Sequence, residues 1–202
     1  MAEQPSLPAL LVEAFSELPL QGNGAGVVRL SQPADRAWMQ AVASRLKQSE
    51  TAFLLPWHGE WALRWFTPSC EVPLCGHGTL AALVALGHWG DLEPAQPLRL
   101  HSRSGPLLVE RQAGVHGGTL ELPAGQLEPA QPSAALEQLL QSQLQLRAER
   151  AWNSSLGYWV VLLPASADLA GMNSIAAGLQ GLERQGLYQD QSLPLQSLEP
   201  GG

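Results

Sequence analysis

RWFTPSCEVPLCGHGTLAA, residues 64–82, decides the reading of this chain. Leu63, Trp65 and Phe66 form a strand-like run, a Thr-Pro-Ser turn follows, and Cys75-Gly76-His77-Gly78-Thr79 then opens a helix. From Leu80 to Leu86 the helix reads Leu-Ala-Ala-Leu-Val-Ala-Leu and leaves no polar face. A helix that is apolar all round must be covered on every side. Its sequence neighbours are mostly strand-like, so the economical cover is a curved sheet. The expected fold is α+β, a barrel-like mixed sheet wrapped around the central helix Gly76–Gly87, with Gly87–Gly90 as the stop.

The start of that helix carries chemistry. Its first N–H groups have no intrahelical partner, and the helix dipole favours negative charge there. Gly76 and Gly78 let a ligand's oxygens approach bare backbone, and His77 lies between them. Upstream, Ser49-Glu50-Thr51-Ala52-Phe53 sets a single carboxylate at the head of an apolar run. An anion-binding helix start and a sequestered carboxylate together suit proton abstraction beside a carboxylate or carbonyl. Partial burial is expected to make Glu50 hold its proton more readily. The plainer readings are a polar strand-edge glutamate and a helix-start histidine of no consequence.

Outward from this stretch, Leu10–Phe15 and Gly26–Leu30 read as strands, separated by the turn signal Gln21-Gly22-Asn23-Gly24. Asp35–Lys47 reads as an amphipathic helix with Asp35 as N-cap and Trp38, Val42 and Leu46 on one face. Glu50–Leu55 and Trp61–Phe66 read as strands around a His58-Gly59 turn, and Leu98–Ser102, Pro106–Arg111 and Gly118–Leu122 as three more. Pro123–Pro132 is rich in Pro, Ala and Gln and reads as a linker. Beyond it come a helix over Ser133–Leu146, a β-like run Leu156–Leu163 and a glycine-weakened helix over Ala165–Arg184. Tyr188–Gly202 is polar and gives no element. The second half repeats the order of the first without a second glycine-opened apolar helix, which predicts an incomplete second domain. Its missing strands predict an open edge near Leu156–Leu163 and hence self-association, a homodimer.

Composition removes other classes. The 202 residues are 45% hydrophobic and 14% charged, with net charge −7, so the chain is globular and nucleic acid is not its partner. No apolar run reaches the roughly 18–20 residues that span a bilayer, and no basic flank with a long apolar core marks a signal peptide. Cys70 and Cys75, four residues apart, do not make a disulfide framework. A reduced, cytoplasmic protein without membrane attachment is the expectation.

Cys70, Cys75 and His77 lack a Cys-x2-Cys pair and a fourth ligand, so no metal site is expected. Cys75 is read as a small buried residue beside the site. Gly22-Asn23-Gly24 lacks a G-x-G-x-x-G pattern or a following Lys-Ser/Thr; a tight turn is favoured, with substrate contact by Asn23 the alternative. The seven tryptophans, Trp38, Trp65 and Trp159 among them, read as core or interface. Asp168 and Asp190 lie in no motif.

Several segments resemble the phenazine-biosynthesis PhzF-like family of isomerases. They are Glu13-Ala14-Phe15, Gly22–Val28, Met39-Gln40, Ser49–Phe53, Leu63–Pro68 and Glu71–Ala81, in the family's order and spacing across about residues 7–122. Gly24 stands where the family usually has proline, and Gly78 where alanine is usual. The resemblance implies the diaminopimelate-epimerase-like fold, with two pseudo-symmetric domains and an active site between them. It also implies cofactor-free acid–base isomerisation of a small carboxylate, with Glu50 transferring the proton. Gly76, His77 and Gly78 would hold the substrate carboxylate. The fold's two-cysteine racemase chemistry needs a second cysteine in the other half, and none follows Cys75.

Family members continue into a DPVTGSAH-type segment that opens the second domain's central helix, whereas this sequence ends in Glu199-Pro200-Gly201-Gly202. The expected layout is a catalytic-type domain over residues 1–122, a linker over 123–132 and an incomplete second domain over 133–202. The expected function is isomerisation by proton transfer without a cofactor. The competing expectation is a non-catalytic binding protein, or an inactive truncated product, on the same scaffold.

Overall fold

A computed structural model describes residues 6–16, 18, 20–113 and 117–167. The described part of the chain falls into two compact units, divided after Pro123. In the first, the elements run β1 (Ala9–Ala14), β2 (Asn23–Arg29), α1 (Arg36–Leu46), β3 (Glu50–Trp57), β4 (Glu60–Phe66), β5 (Glu71–Val72), α2 (Gly76–Trp89), β6 (Pro97–Ser102), β7 (Gly105–Arg111) and β8 (Gly118–Leu120). They build one sheet in the order β1-β2-β3-β4-β6-β7-β8, with β5 added beside β4.

Two pairs in this sheet are parallel, β2–β3 and β4–β6, and each is bridged by a helix. The two crossover helices lie on opposite faces. Alternate residues Ala52 and Leu54 of β3, with Leu63 and Trp65 of β4, join Ala81–Leu83, Ala85 and Leu86 of α2 in the larger core. Their neighbours Phe53 and Phe66 point the other way and join Met39 and Ala43 of α1. The strand period of two thus sorts one continuous apolar run onto two cores.

That division explains the two helix compositions. α2 packs against β1, β2, β3, β7 and β8, so it touches both ends of the curled sheet. Its cover is not complete: β1 and β8 do not pair, Leu80 and Val84 are half-buried, and His88 is exposed. α1 lies outside and buries Met39 and Ala43. The expected stripe of Trp38, Val42 and Leu46 is not its buried face; Trp38 is 42% exposed and meets Phe53 only edge-on, at 6.1 Å between centroids. Asp35 occupies the N-cap position, but its side chain makes no capping hydrogen bond.

The second unit holds β9 (Leu127–Pro129), α3 (Ala134–Leu144), β10 (Arg150–Ser154) and β11 (Trp159–Leu162). The three strands form an antiparallel sheet in the order β11-β10-β9. Ser133 caps α3, its hydroxyl accepting from the Leu136 N–H at 3.2 Å. β9 lies inside the segment expected as a linker, because its backbone pairs with Trp152–Ser154 even though its side chains are exposed. β10 has no counterpart in the sequence reading, and the β-like run 156–163 divides into a turn and β11: Ser154 N–H donates to Tyr158 O, and Gly157 has a φ of 80°. The glycine-weakened helix, Asp168, Asp190 and the polar end lie, from residue 168 on, outside the described residues.

Among the described residues, no helix is long and apolar enough to cross a membrane.

Candidate active site

The site forms where strand ends meet a helix start. β2 and β3 run parallel with Ala25 opposite Glu50, so their first residues, Asn23 and Glu50, lie at the same end of the sheet. β4 runs back to that end, β5 follows, and Pro73-Leu74-Cys75 delivers the chain to α2. Glu50 shares a strand face with Ala52 and Leu54, which face α2. A carboxylate at the rim of the inner sheet face therefore meets the first turn of the central helix.

The contact is close. His77 Nε2 lies 2.9 Å from Glu50 Oε2, with the two side chains 12% and 19% exposed. The same nitrogen is 3.0 Å from Ser49 Oγ, and Nδ1 is 3.5 Å from Cys75 Sγ. The ring N–H aligns with the Ser49 hydroxyl, so Oε2 of Glu50 has a charge contact and no aligned hydrogen bond. Ser49 Oγ also lies 2.8 Å from Gly24 O and 3.0 Å from Asn23 Oδ1. A hydroxyl has one proton, so it donates to one of these carbonyls and accepts from His77. Asn23 thus joins the cluster through Ser49, a residue that sequence reasoning did not single out. The available signal was its place immediately before Glu50 at a strand start.

Cys75 is the N-cap of α2. Its sulfur accepts from Gly78 N–H at 3.3 Å, and its carbonyl accepts from Thr79 N–H at 3.1 Å. The amides of Gly76 and His77 remain without a partner among the described residues, which makes them the free donors of the first turn. Gly78 has a different reason for being glycine. A Cβ there would stand 2.8 Å from Trp65 Cδ1 and 3.1 Å from Cys75 Sγ. Gly22 is fixed by backbone crowding, since a Cβ would come within 2.5 Å of Ala14 O, in keeping with a tight turn before Asn23.

The electrostatics correct one expectation. Burial pulls the Glu50 pKa upward and is the largest single influence, but the close, positively charged His77 ring and the adjacent Ser49 outweigh it and hold the pKa below the ordinary value. Glu50 is therefore ionised at neutral pH rather than proton-retaining. His77 is raised to about 10, first by its bond to Cys75 and then by Glu50, against the opposing effect of burial. The pair is an imidazolium–carboxylate pair at a helix start.

Glu50, Cys75 and His77 bring three ligand-type atoms within 4.8 Å of one another. His77, however, turns Nδ1 to the thiol and Nε2 to the carboxylate. An ion shared by all three would need one ring nitrogen to face both, which is not the arrangement the ring adopts here.

A mixed sheet curled around an apolar helix, with a carboxylate at the helix start, defines the epimerase-like α+β class. The sequence model of the phenazine biosynthesis-like protein family, PhzC-PhzF, matches residues 12–190, and the chain belongs to that family. An uncharacterized isomerase of Halalkalibacterium halodurans is 38% identical over 133 residues, 66% of this chain and 49% of its own length. An uncharacterized isomerase of Pseudomonas aeruginosa is 44% identical over 130 residues, 63% of this chain and 49% of its own length. The chain thus spans about half the length of these curated relatives. Among solved structures, a predicted epimerase from Pseudomonas aeruginosa superimposes with a TM-score of 0.66 at 28% identity, covering 88% of this chain and 67% of that one.

Proposed function

We propose that this chain carries the proton-transferring half-site of a PhzF-like isomerase acting without a cofactor on a small carboxylate. The observation that carries the reading is the Glu50–His77 pair at the first turn of α2. The substrate carboxylate binds the free amides of Gly76 and His77 and the His77 imidazolium, while Gly78 sets the turn and Asn23 holds Ser49. A bound anion takes up part of the imidazolium's charge and hydrogen bonding. Glu50 then loses the partner that depresses its pKa, and its basicity rises in the complex, beside the carbon that is to lose a proton. The ionised Glu50 removes the proton and returns it elsewhere on the same molecule.

The test is deuterium incorporation, followed by NMR, across a panel of unsaturated and hydroxylated cyclic carboxylates. Glu50→Gln keeps the shape and removes the base, and its exchange rate is expected to fall on the order of 10²–10⁴-fold. His77→Ala should chiefly weaken binding. Exchange at the wild-type rate in Glu50→Gln overturns the assignment. Binding of an acid without exchange in the wild type would favour a non-catalytic binding protein.

A further inference from the structure

Apart from the Glu50 cluster, the molecule gathers positive charge at one point. The chain has only 11 lysines and arginines, yet three arginines converge on a single carboxylate, Glu71, whose side chain is 1% exposed. Arg64 of β4 grips it side-on, Nε to Oε1 at 2.7 Å and Nη2 to Oε2 at 2.8 Å. Arg36, the first residue of α1, adds Nε to Oε2 at 3.0 Å. Arg103, in the turn between β6 and β7, brings Nη1 to 3.5 Å from the same oxygen. Arg64 lies on the outer sheet face, its guanidinium 5.2 Å from the centroid of Phe66, whereas Trp65 and Glu50 face inward. The cluster is therefore separate from the His77 site.

The charges do not balance. Three guanidiniums face one carboxylate, and no other Asp or Glu among the described residues pairs with any of the three. Arg36 meets Glu71 through Nε, and its side chain is 62% exposed. Arg103, 29% exposed, lies 3.5 Å from Glu71 without an aligned hydrogen bond, so its guanidinium keeps donors for a further acceptor. Glu71 is buried while the three arginines are 62%, 21% and 29% exposed, so an approaching anion meets guanidinium before it meets the carboxylate. The surplus of two positive charges equals the charge of a phosphate dianion, and the guanidinium fork matches oxyanion geometry. A monovalent carboxylate would leave half of the surplus uncompensated.

We propose that Arg36, Arg64 and Arg103, held together by Glu71, form a binding site for the phosphate group of a small molecule. Glu71 is the template that brings the guanidiniums within reach of one ligand, and Arg36 and Arg103 are the arms that close on it. Binding weakens with salt, because two of the three arms are partly solvated.

The probe is inorganic phosphate, titrated calorimetrically and by backbone amide shifts at constant ionic strength, with chloride and acetate as controls. Phosphate is expected to bind where acetate does not, with shifts at residues 36, 64 and 103. Arg36→Gln and Arg103→Gln should each weaken binding roughly tenfold or more, as for loss of a charge-assisted contact. Glu71→Gln, where it folds, should tighten binding, because the surplus rises from two charges to three; a purely structural knot would only lose stability. Arg36 is largely exposed, so Arg36→Gln remains decisive even if the other variants fail to fold. His77→Ala should leave phosphate binding unchanged, which keeps this test separate from that of the isomerase reading. Phosphate binding that persists in Arg36→Gln and is lost in His77→Ala would place the anion at α2 and overturn the proposal. Equal heats for phosphate and acetate would overturn it as well.

Discussion

His77 sets the electrostatics of the site, and its consequences are measurable by pH. Its pKa is raised to about 10 from 6.5, while that of Glu50 is lowered from 4.5. A raised histidine stabilises the fold fully below its unfolded value and loses that contribution as pH climbs through the folded one. A depressed carboxylate contributes fully above its unfolded value and loses it as pH falls through the folded one. The pair's contribution is therefore complete between pH 4.5 and 6.5 and declines from 6.5 toward about 10. Melting temperatures of the wild type and His77→Gln should differ most inside that window and converge on the alkaline side. A difference that stays constant from pH 6.5 to 10 would show that His77 is not the charged partner of Glu50. Sequence reasoning singled out Glu50 and His77, and the structure brings their side chains to 2.9 Å. The sign of the Glu50 shift was hidden, because it depends on a cross-element contact 27 residues away in the chain, which burial of an apolar run does not reveal.

At the scale of elements, the two crossover helices show which patterns are legible. α2 could be read because its composition admits one environment only. α1 could not be oriented, since Ala37, Trp38, Met39, Ala41, Val42 and Ala43 offer apolar residues to nearly every side. The sheet decides by steric fit: Met39 and Ala43 fit between Phe53, Phe66 and Val28, and bulky Trp38 is left at the rim. The start of α2 has a similar fit, between Gly78 and Trp65, which is 1% exposed. By helix propensity alone, Gly78→Ala should stabilise by about 0.5–1 kcal/mol. The added Cβ would stand 2.8 Å from a rigid, buried indole, and overpacking of that kind costs about 1–3 kcal/mol. The clash wins, and urea unfolding of Gly78→Ala should show a net loss on the order of 1 kcal/mol. In a Trp65→Leu background the same substitution should become neutral or stabilising, which a double-mutant cycle reads as coupling. Equal effects in both backgrounds would mean that the indole does not dictate the glycine.

At the scale of the whole molecule, legibility followed the size of the core. The first unit was readable almost strand by strand, because strands of six to eight residues with apolar residues on their buried faces fill two cores, one built from 17 buried residues and the other from six. The second unit resisted reading. Its buried cluster is Leu136 and Leu140 with half-buried neighbours, the side chains of β9 are exposed, and β10 buries only the small Ala151. A pattern of side chains cannot announce a strand whose side chains are not sorted by burial. The same difference should govern local stability. Fully burying a leucine contributes about 1.5–3 kcal/mol, so two buried leucines leave α3 and its sheet with little to oppose the entropy of ordering the segment. The first unit's strands are covered on both faces where α1 and α2 lie opposite each other across β3. Native-state hydrogen exchange by mass spectrometry should therefore find the slowest amides in β2, β3, β4 and α2. Amides of α3, β10 and β11 should open through smaller, sub-global fluctuations and exchange faster under identical conditions. Low urea should accelerate the second group first. If the amides of Leu136–Leu140 and those of Ala81–Leu86 exchanged at one common rate, with one common urea dependence, the chain would unfold as a single cooperative body, and the separation of its two cores would have no energetic meaning.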